Sequence, residues 1–298
     1  MDAEVTAFKQ FRVEPDQKFR LKDRDPADTA GFKSKKEANA KERQAEGIER
    51  LRELQERLYA YDRWALLLIF QAMDAAGKDS TIEHVMSGVN PQGCQVYSFK
   101  QPSAEELDHD YLWRTNRCLP ERGRIGVFNR SYYEEVLVVR VHKGILAAEK
   151  LPVELVDADI WKQRFKDINA FERYLAQNGT ALVKFFLHVS KEEQRRRFLA
   201  RLDEPQKNWK FSLSDVKERE HWEEYMAVYE DMLARTSTEH APWYVIPADH
   251  KWFMRMAVAD IVVSTLEKLK PEYPTITEEK RRELEAARKA LEQEEAKA

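Results

Sequence analysis

The chain has 298 residues, 43% hydrophobic and 35% charged, with 50 basic side chains against 53 acidic ones and a net charge of −3. This length and apolar content allow a large domain with a sizeable core, and glycine and proline are too few for a collagen-like or disordered chain. A globally basic nucleic-acid-binding coat is excluded, so any anion site must arise from positive charge gathered locally. No apolar stretch approaches the roughly 20 residues of a bilayer span. Met1-Asp2-Ala3-Glu4 does not open a leader pattern, and Cys94 and Cys118 make neither a disulfide framework nor a metal cluster. The expectation is a cytoplasmic protein without nucleic-acid or membrane partners.

Residues 1–45 are polar, with turn signals at Glu14-Pro15-Asp16 and Asp25-Pro26-Ala27, and read as an N-terminal arm packed onto the body. From Ala45 to Tyr59, Ile48, Leu51, Leu54 and Leu58 recur at helical spacing. Trp64 to Phe70 is a continuous apolar run, the signature of a central strand covered on both faces. A helix follows from Lys78 to about Ser87, then a turn at Asn90-Pro91-Gln92-Gly93, a strand over Cys94–Phe99 and a helix over Ala104–Arg117. Further strands are predicted at Ile125–Phe128, Ala181–Val189 and Trp243–Ile246, with Ser190 capping the helix after the fourth and a helix over Lys251–Lys268. Strands alternating with helices predict an α/β fold, a parallel sheet with helices on both faces. Residues 203–235 are helical, charged and outside this alternation, as an insertion would be. Residues 278–298 mix acid and base around Leu284 and Leu291 and read as a solvated helical tail, the alternative being a packing arm for an oligomer.

Chemistry concentrates where the first strand ends, in Gln71-Ala72-Met73-Asp74-Ala75-Ala76-Gly77-Lys78-Asp79-Ser80-Thr81. A strand, a tight glycine turn, a lysine and a helix start are what a phosphate-binding loop needs, because backbone N–H groups and the positive helix end hold phosphate oxygens. The pattern departs from the general one at Ala72, where a glycine is usual, and at Asp79, where a hydroxyl is usual. The plainer reading is an ordinary strand–helix turn with a solvated Lys78. Asp74 argues against it, since an acid in such a loop is useful for holding Mg²⁺ or orienting a phosphate. The third strand ends in Phe128-Asn129-Arg130-Ser131-Tyr132-Tyr133-Glu134, so Asn129 and Arg130 should face the Lys78 loop. Arg130 is either a planar clamp on a phosphoryl group or an ion-pair partner of Glu134 or Glu135. The helix from Ser190 to Arg201, continued by Lys207 and Lys210, reads as a lid over an extended polyanion or as a solvated helix with internal pairs.

The stretch Met73-Asp74-Ala75-Ala76-Gly77-Lys78-Asp79 resembles the polyphosphate kinase 2 family. So do Asn90-Pro91-Gln92-Gly93, Ser98-Phe99-Lys100, Asp110-Tyr111-Leu112-Trp113-Arg114, Val127-Phe128-Asn129-Arg130-Ser131, Phe185-Phe186-Leu187-His188-Val189-Ser190 and Ala241-Pro242-Trp243-Tyr244-Val245-Ile246-Pro247. The resemblance runs from about Arg12 to Pro274 and accounts for both Asp74 and Asp79, whose positions are acidic in that family. Asn129 and Glu134 resemble its third class. The resemblance implies a three-layer αβα P-loop kinase fold over 46–274, with a helical lid at about 195–235 between the arm and the 275–298 tail. It implies transfer from inorganic polyphosphate to AMP and ADP, with guanine nucleotides as further acceptors, Mg²⁺ or alternatively Mn²⁺, and a homo-oligomer, dimer or tetramer. It assigns catalysis to Asp74, Lys78, Asn129, Arg130 and Glu134, with Asp74 toward the metal. Phosphate and nucleotide contacts fall to Ala75, Ala76, Gly77, Asp79, Ser80 and Thr81, to Lys100 and Arg114, and to Arg195, Arg196, Arg197 and Arg201. Helical periodicity cannot turn all four of those arginines to one side. The rivals are an ATP-dependent nucleotide or nucleoside kinase and a non-catalytic binding protein.

Overall fold

The computed structural model describes residues 8–15 and 17–295, without the side chains of Lys207, Lys210, Glu294 and Glu295. Asp16 of the first expected turn, the charges of Lys207 and Lys210, and the end of the tail therefore lie outside the described residues.

Five strands, β1 (Ala65–Gln71), β2 (Cys94–Ser98), β3 (Ile125–Asn129), β4 (Thr180–His188) and β5 (Trp243–Pro247), form one parallel sheet in the order β2-β3-β1-β4-β5. The apolar run is β1, buried at all seven positions between β3 and β4. Its register sets Phe70 opposite Asn129 on one side and Phe185 on the other. The chain fills one side of β1 and then the other, so the carboxyl end of β1 is the switch point where such sheets open a crevice.

One helical layer is α1 (Ala40–Tyr61), α2 (Lys78–Val85) and α6 (Lys251–Leu269); the other contains α3 (Ile160–Gln177) and α5 (Trp222–Thr236). Between β4 and α5 run α4 (Lys191–Asp203) and a short helix, Leu213–Glu218; a last helix, α7 (Glu278–Glu295), follows the body. Ser190 caps α4 as predicted, its Oγ accepting from the Glu193 N–H at 3.1 Å. The first helix begins at Ala40, five residues earlier than its apolar spacing suggested. The arm bonds along the β5 edge through Val13 N–H to Trp243 O at 2.9 Å, which closes that edge to further pairing. Phe8 and Phe11 pack on Phe253 of α6.

One expected helix is broken in the structure, and one helix had no counterpart in the sequence reading. The expected helix over Ala104–Arg117 is two single turns, Ala104–Leu107 and Trp113–Asn116. Asp110 separates them, because its carboxylate takes the Leu112 N–H at 3.0 Å and offers the backbone a turn instead of a helix. Conversely, α3 was not foreseen. Arg164 and Glu172 occupy its buried face beside Phe165, Ile168 and Leu175, so charge masks the apolar stripe.

Candidate active site

The loop between β1 and α2 turns through two left-handed residues, Ala75 at φ 60° and Gly77 at φ 106°. Glycine suits position 77 chiefly through its backbone. Its φ suits a residue without Cβ, and a Cβ there would lie 3.2 Å from Met254 Cε. The first bond of α2 runs from Thr81 N–H to Gly77 O at 3.0 Å. The N–H groups of Lys78, Asp79 and Ser80 thus precede the helix's own ladder, in the position that makes helix starts bind anions. Lys78 is buried and folds back to donate from Nζ to Ala72 O at 2.8 Å, closing the loop. Burial pulls its pKa below the usual lysine value and the Arg130 charge pushes the same way, against Asp74, Glu134 and Asp79.

Arg130 follows β3 in a left-handed conformation, φ 65°, fixed by its N–H bond to Phe70 O at 3.0 Å. Its guanidinium bridges two carboxylates, Asp74 Oδ1 at 3.1 Å and Glu134 Oε2 at 3.6 Å. Burial works against its charge, but Glu134 and Asp74 outweigh that and hold its pKa above the ordinary value. Glu134 also accepts from Gln71 Nε2 at 2.8 Å. Asn129 Nδ2 donates to Asp79 Oδ1 at 2.7 Å, tying the end of β3 to the first turn of α2. The structure therefore brings Asp74, Lys78, Asp79, Asn129, Arg130 and Glu134 together at the ends of the two adjacent strands.

Beside this cluster opens a cavity of about 460 Å³. Lys100, Arg114 and Arg130 line it with the carboxylates Glu106, Asp110, Glu134, Glu135 and Glu149, and Val138, Ile145 and Leu151 are among its apolar walls. Lys100 is exposed at the rim. Arg114 is buried in the wall, donating to Lys100 O at 2.7 Å and to Glu135 Oε1 at 3.5 Å. Arg164 donates to Glu135 O at 2.9 Å and pairs with Glu149. Burial and the neighbouring Glu149 push Glu135 up to about 7, against the pull of Arg114 and Arg164.

Other expected contacts have different surroundings. The Ser80 and Thr81 hydroxyls both donate to Gly77 O, at 3.1 and 2.9 Å, and Thr81 is fully buried beside Met254. Arg195 and Arg196 are exposed and pair with Glu192 and Glu193 one turn earlier in α4. Arg201 is half-buried over the Phe198 ring, and its field reaches Asp215 of the short helix, whose pKa burial and Asp74 raise. Arg197 departs furthest, because it points into the protein and binds backbone carbonyls of the loop. Two participants were not expected in these roles: Gln71, and Glu135, which was only an alternative partner of Arg130 and pairs with Arg114 and Arg164 instead. Gln71 directly precedes the loop, a place that alone recommends a polar strand-end residue, whereas Glu135 carries no signal separating it from Glu134.

A parallel sheet in this order, with a Gly-Lys loop at its central crevice and a cavity beside it that Lys100, Arg114 and Arg130 line together with carboxylates, defines the class: an α/β phosphotransferase of P-loop kinase architecture. The family model of polyphosphate kinase 2 matches residues 33–274. The chain is 59% identical over 245 residues to an "ADP-polyphosphate phosphotransferase" of Rhodopseudomonas palustris, covering 82% of this chain and 85% of that one. It is 48% identical over 267 residues to an "AMP/ADP-polyphosphate phosphotransferase" of Meiothermus ruber, covering 90% and 96%. The crystal structure of polyphosphate kinase 2 from Arthrobacter aurescens TC1 superposes with a TM-score of 0.85 at 40% identity, covering 94% of this chain and 96% of that one. The protein belongs to the polyphosphate kinase 2 family. Among the described residues, no helix is long and apolar enough to cross a membrane.

Proposed function

We propose that this protein transfers the terminal phosphoryl group of inorganic polyphosphate to AMP and to ADP, reversibly, forming ADP and ATP. One observation carries the reading. A single guanidinium, Arg130, spans the phosphate loop through Asp74 and the cavity through Glu134, so it stands where two phosphate-bearing substrates can meet. Support for the acceptors comes from the printed activities of the two relatives above, one naming ADP and the other both AMP and ADP.

In this mechanism the terminal phosphate oxygen of the acceptor attacks the end phosphorus of the chain. A new P–O bond forms, the bridging P–O bond breaks, and a chain one phosphate shorter leaves. Phosphoryl transfer asks the protein for position and charge rather than for covalent chemistry. The loop amides and Lys78 hold the phosphates at the junction. Arg130 exchanges its carboxylate partners for the oxygens of the transferred group, and its planar fork matches them. The cavity receives the acceptor, with phosphates toward Lys100 and Arg130 and the base against apolar side chains such as Val138, Ile145 and Leu151. Of the lid expected at about 195–235, residues 203–221 act as the lid in this reading, because α5 from Trp222 onward packs its buried face in a helical layer of the body, and Arg201 is the arginine of α4 best placed for the chain.

Mg²⁺, with Mn²⁺ as substitute, fits as a cation carried with the phosphates. Among the described residues no cluster of three or more metal-ligating side chains exists, and Asp74 offers a partly exposed carboxylate. One carboxylate plus phosphate oxygens and water is a usual Mg²⁺ arrangement. Bound there, the ion neutralises phosphate charge. Assembly as a homo-oligomer, use of guanine nucleotides and a cytoplasmic setting belong to the same reading.

The test is incubation with ADP, Mg²⁺ and long-chain polyphosphate, repeated with AMP. ATP appearing only with the polymer is the expected result. Phosphorylation of AMP by ATP with no response to the polymer points to an ordinary nucleotide kinase, and binding without turnover points to a non-catalytic protein.

A further inference from the structure

Helix α4 starts at the carboxyl end of β4, beside the phosphate loop, and two of its polar side chains, one turn apart, are buried: Gln194 and Arg197. Gln194 Nε2 donates to Asp74 O at 2.8 Å. Arg197 Nη1 donates to Ala75 O at 3.1 Å and to Ala76 O at 2.7 Å. Three successive carbonyls of the loop are thus gripped by one helix face. A planar trans peptide points its C=O and N–H in opposite directions. Gripping these carbonyls therefore turns the amides of Ala75, Ala76 and Gly77 away from α4, the Ala76 amide resting on Met73 O at 3.3 Å.

The rest of Arg197 excludes a direct phosphate role. Nη2 donates to Ala248 O and to Asp249 O at 3.2 Å, and Nε to Glu193 Oε1 at 2.7 Å. A guanidinium has five N–H donors, and these five acceptors occupy them all. Arg197 thereby ties the phosphate loop to the segment after β5. Gln194 is also engaged at both ends. Its Oε1 accepts from Arg219 Nη1, which also donates to Lys191 O at 3.1 Å, and Arg219 follows directly on the short helix Leu213–Glu218.

We propose that Gln194 and Arg197 are positioning residues that hold the phosphate loop in its anion-binding shape from behind, without touching substrate, and that Gln194 links the base of the lid to Asp74. This deepens the functional reading above and rests on residues 72–78 being the phosphate loop. The brace preorganises amides that would otherwise have to be ordered when the chain binds. Lysine at 197 cannot replace it, because one ammonium cannot reach carbonyls on two separate segments in a planar fork.

Hydrogen–deuterium exchange on the free full-length protein tests this without substrate, using Arg197→Ala and Gln194→Met. The expected result is exchange about tenfold faster in peptides covering 72–79, with β1 and β4 unchanged. In parallel, kcat should fall about 10²-fold, the scale of a small misplacement in an active site. The loss should be equal for short and long polyphosphate, and added guanidinium should restore part of it in Arg197→Ala. Gln194→Met keeps volume and overall charge, so it decides the matter if Arg197→Ala does not fold. Unchanged loop exchange in the folded variants overturns the proposal. So does a KM rise that grows with chain length at constant kcat, the mark of direct chain contact. Exchange is read without turnover, so an inactive wild type would strike the functional reading alone.

Discussion

The segment Arg130–Glu134 carries two ion clusters that face opposite ways, and they differ in how tightly they are closed. Tyr132 and Tyr133 point into the core, where both hydroxyls donate to Glu172 Oε1, at 2.9 and 2.7 Å. Lys184 pairs with the other oxygen of Glu172, donates to Thr236 O at 2.7 Å and lies over the rings of Tyr133 and Trp243. All four of these polar side chains have 0% exposure, and burial pulls Lys184 down to about 8. Arg130 and Glu134 point the other way, to a cluster whose side chains are 39% exposed for Arg130, 33% for Asp74 and 16% for Glu134. Its ion pairs are longer, 3.1 and 3.6 Å. A buried charge marks structure when the protein supplies every partner. It marks a site when the partners are loose enough for a ligand to take over. The closed cluster fixes the backbone from which the open one projects.

The comparison breaks most visibly if single cations of the open cluster prove dispensable. Lys78→Ala and Arg130→Ala should each lower kcat by about 10³–10⁵, the scale of an arginine finger. Their melting temperatures should stay close to wild type, as calorimetry can check. Lys184→Met should reverse the pattern. Removing one partner of a buried pair costs about 3–5 kcal/mol, because Glu172 is left charged in the core. Denaturant titration measures that loss, while turnover per folded molecule stays near wild type.

A smaller effect concerns Glu135, in the wall between the two clusters. Burial raises its folded pKa from the ordinary 4.5 to about 7, so the folded state binds the extra proton between those values. Its contribution to stability is complete below pH 4.5 and is lost as pH rises through about 7. Glu135→Gln should flatten that part of the stability-against-pH curve, and an unchanged slope would assign the titration to another group. The smallest effect is expected outside both clusters. Arg195→Ala and Arg196→Ala remove exposed i,i+3 pairs and should leave turnover within about twofold of wild type.

Much of the sheet was legible in the sequence for local reasons. The run through Phe70 is buried on both faces, and an unbroken apolar segment that short has few other solutions. The loop and Arg130 could be placed together because strand ends share one edge of a parallel sheet, whatever the order of the strands. Helix α3 was hidden because Arg164 and Glu172 interrupt its apolar face with charges that find partners only in the fold. The inward face of α4 was hidden for a related reason. Gln194 has no charge to draw the eye, and the carbonyls that Arg197 binds belong to two segments far away in sequence, the phosphate loop and the residues after β5. Composition names a cluster of arginines; only tertiary contacts separate a brace from a solvated pair.

In the proposed mechanism the open cluster transfers phosphoryl groups and the closed one only supports it. Single-turnover formation of ATP from ADP and polyphosphate tests this most directly, with wild type, Arg130→Ala and Lys184→Met compared at equal concentrations of folded protein. Wild type and Lys184→Met should turn over fast, and Arg130→Ala should be slower by about 10³–10⁵. Arg130→Ala keeping pace with wild type, or Lys184→Met falling to the same low rate while folded, would contradict it.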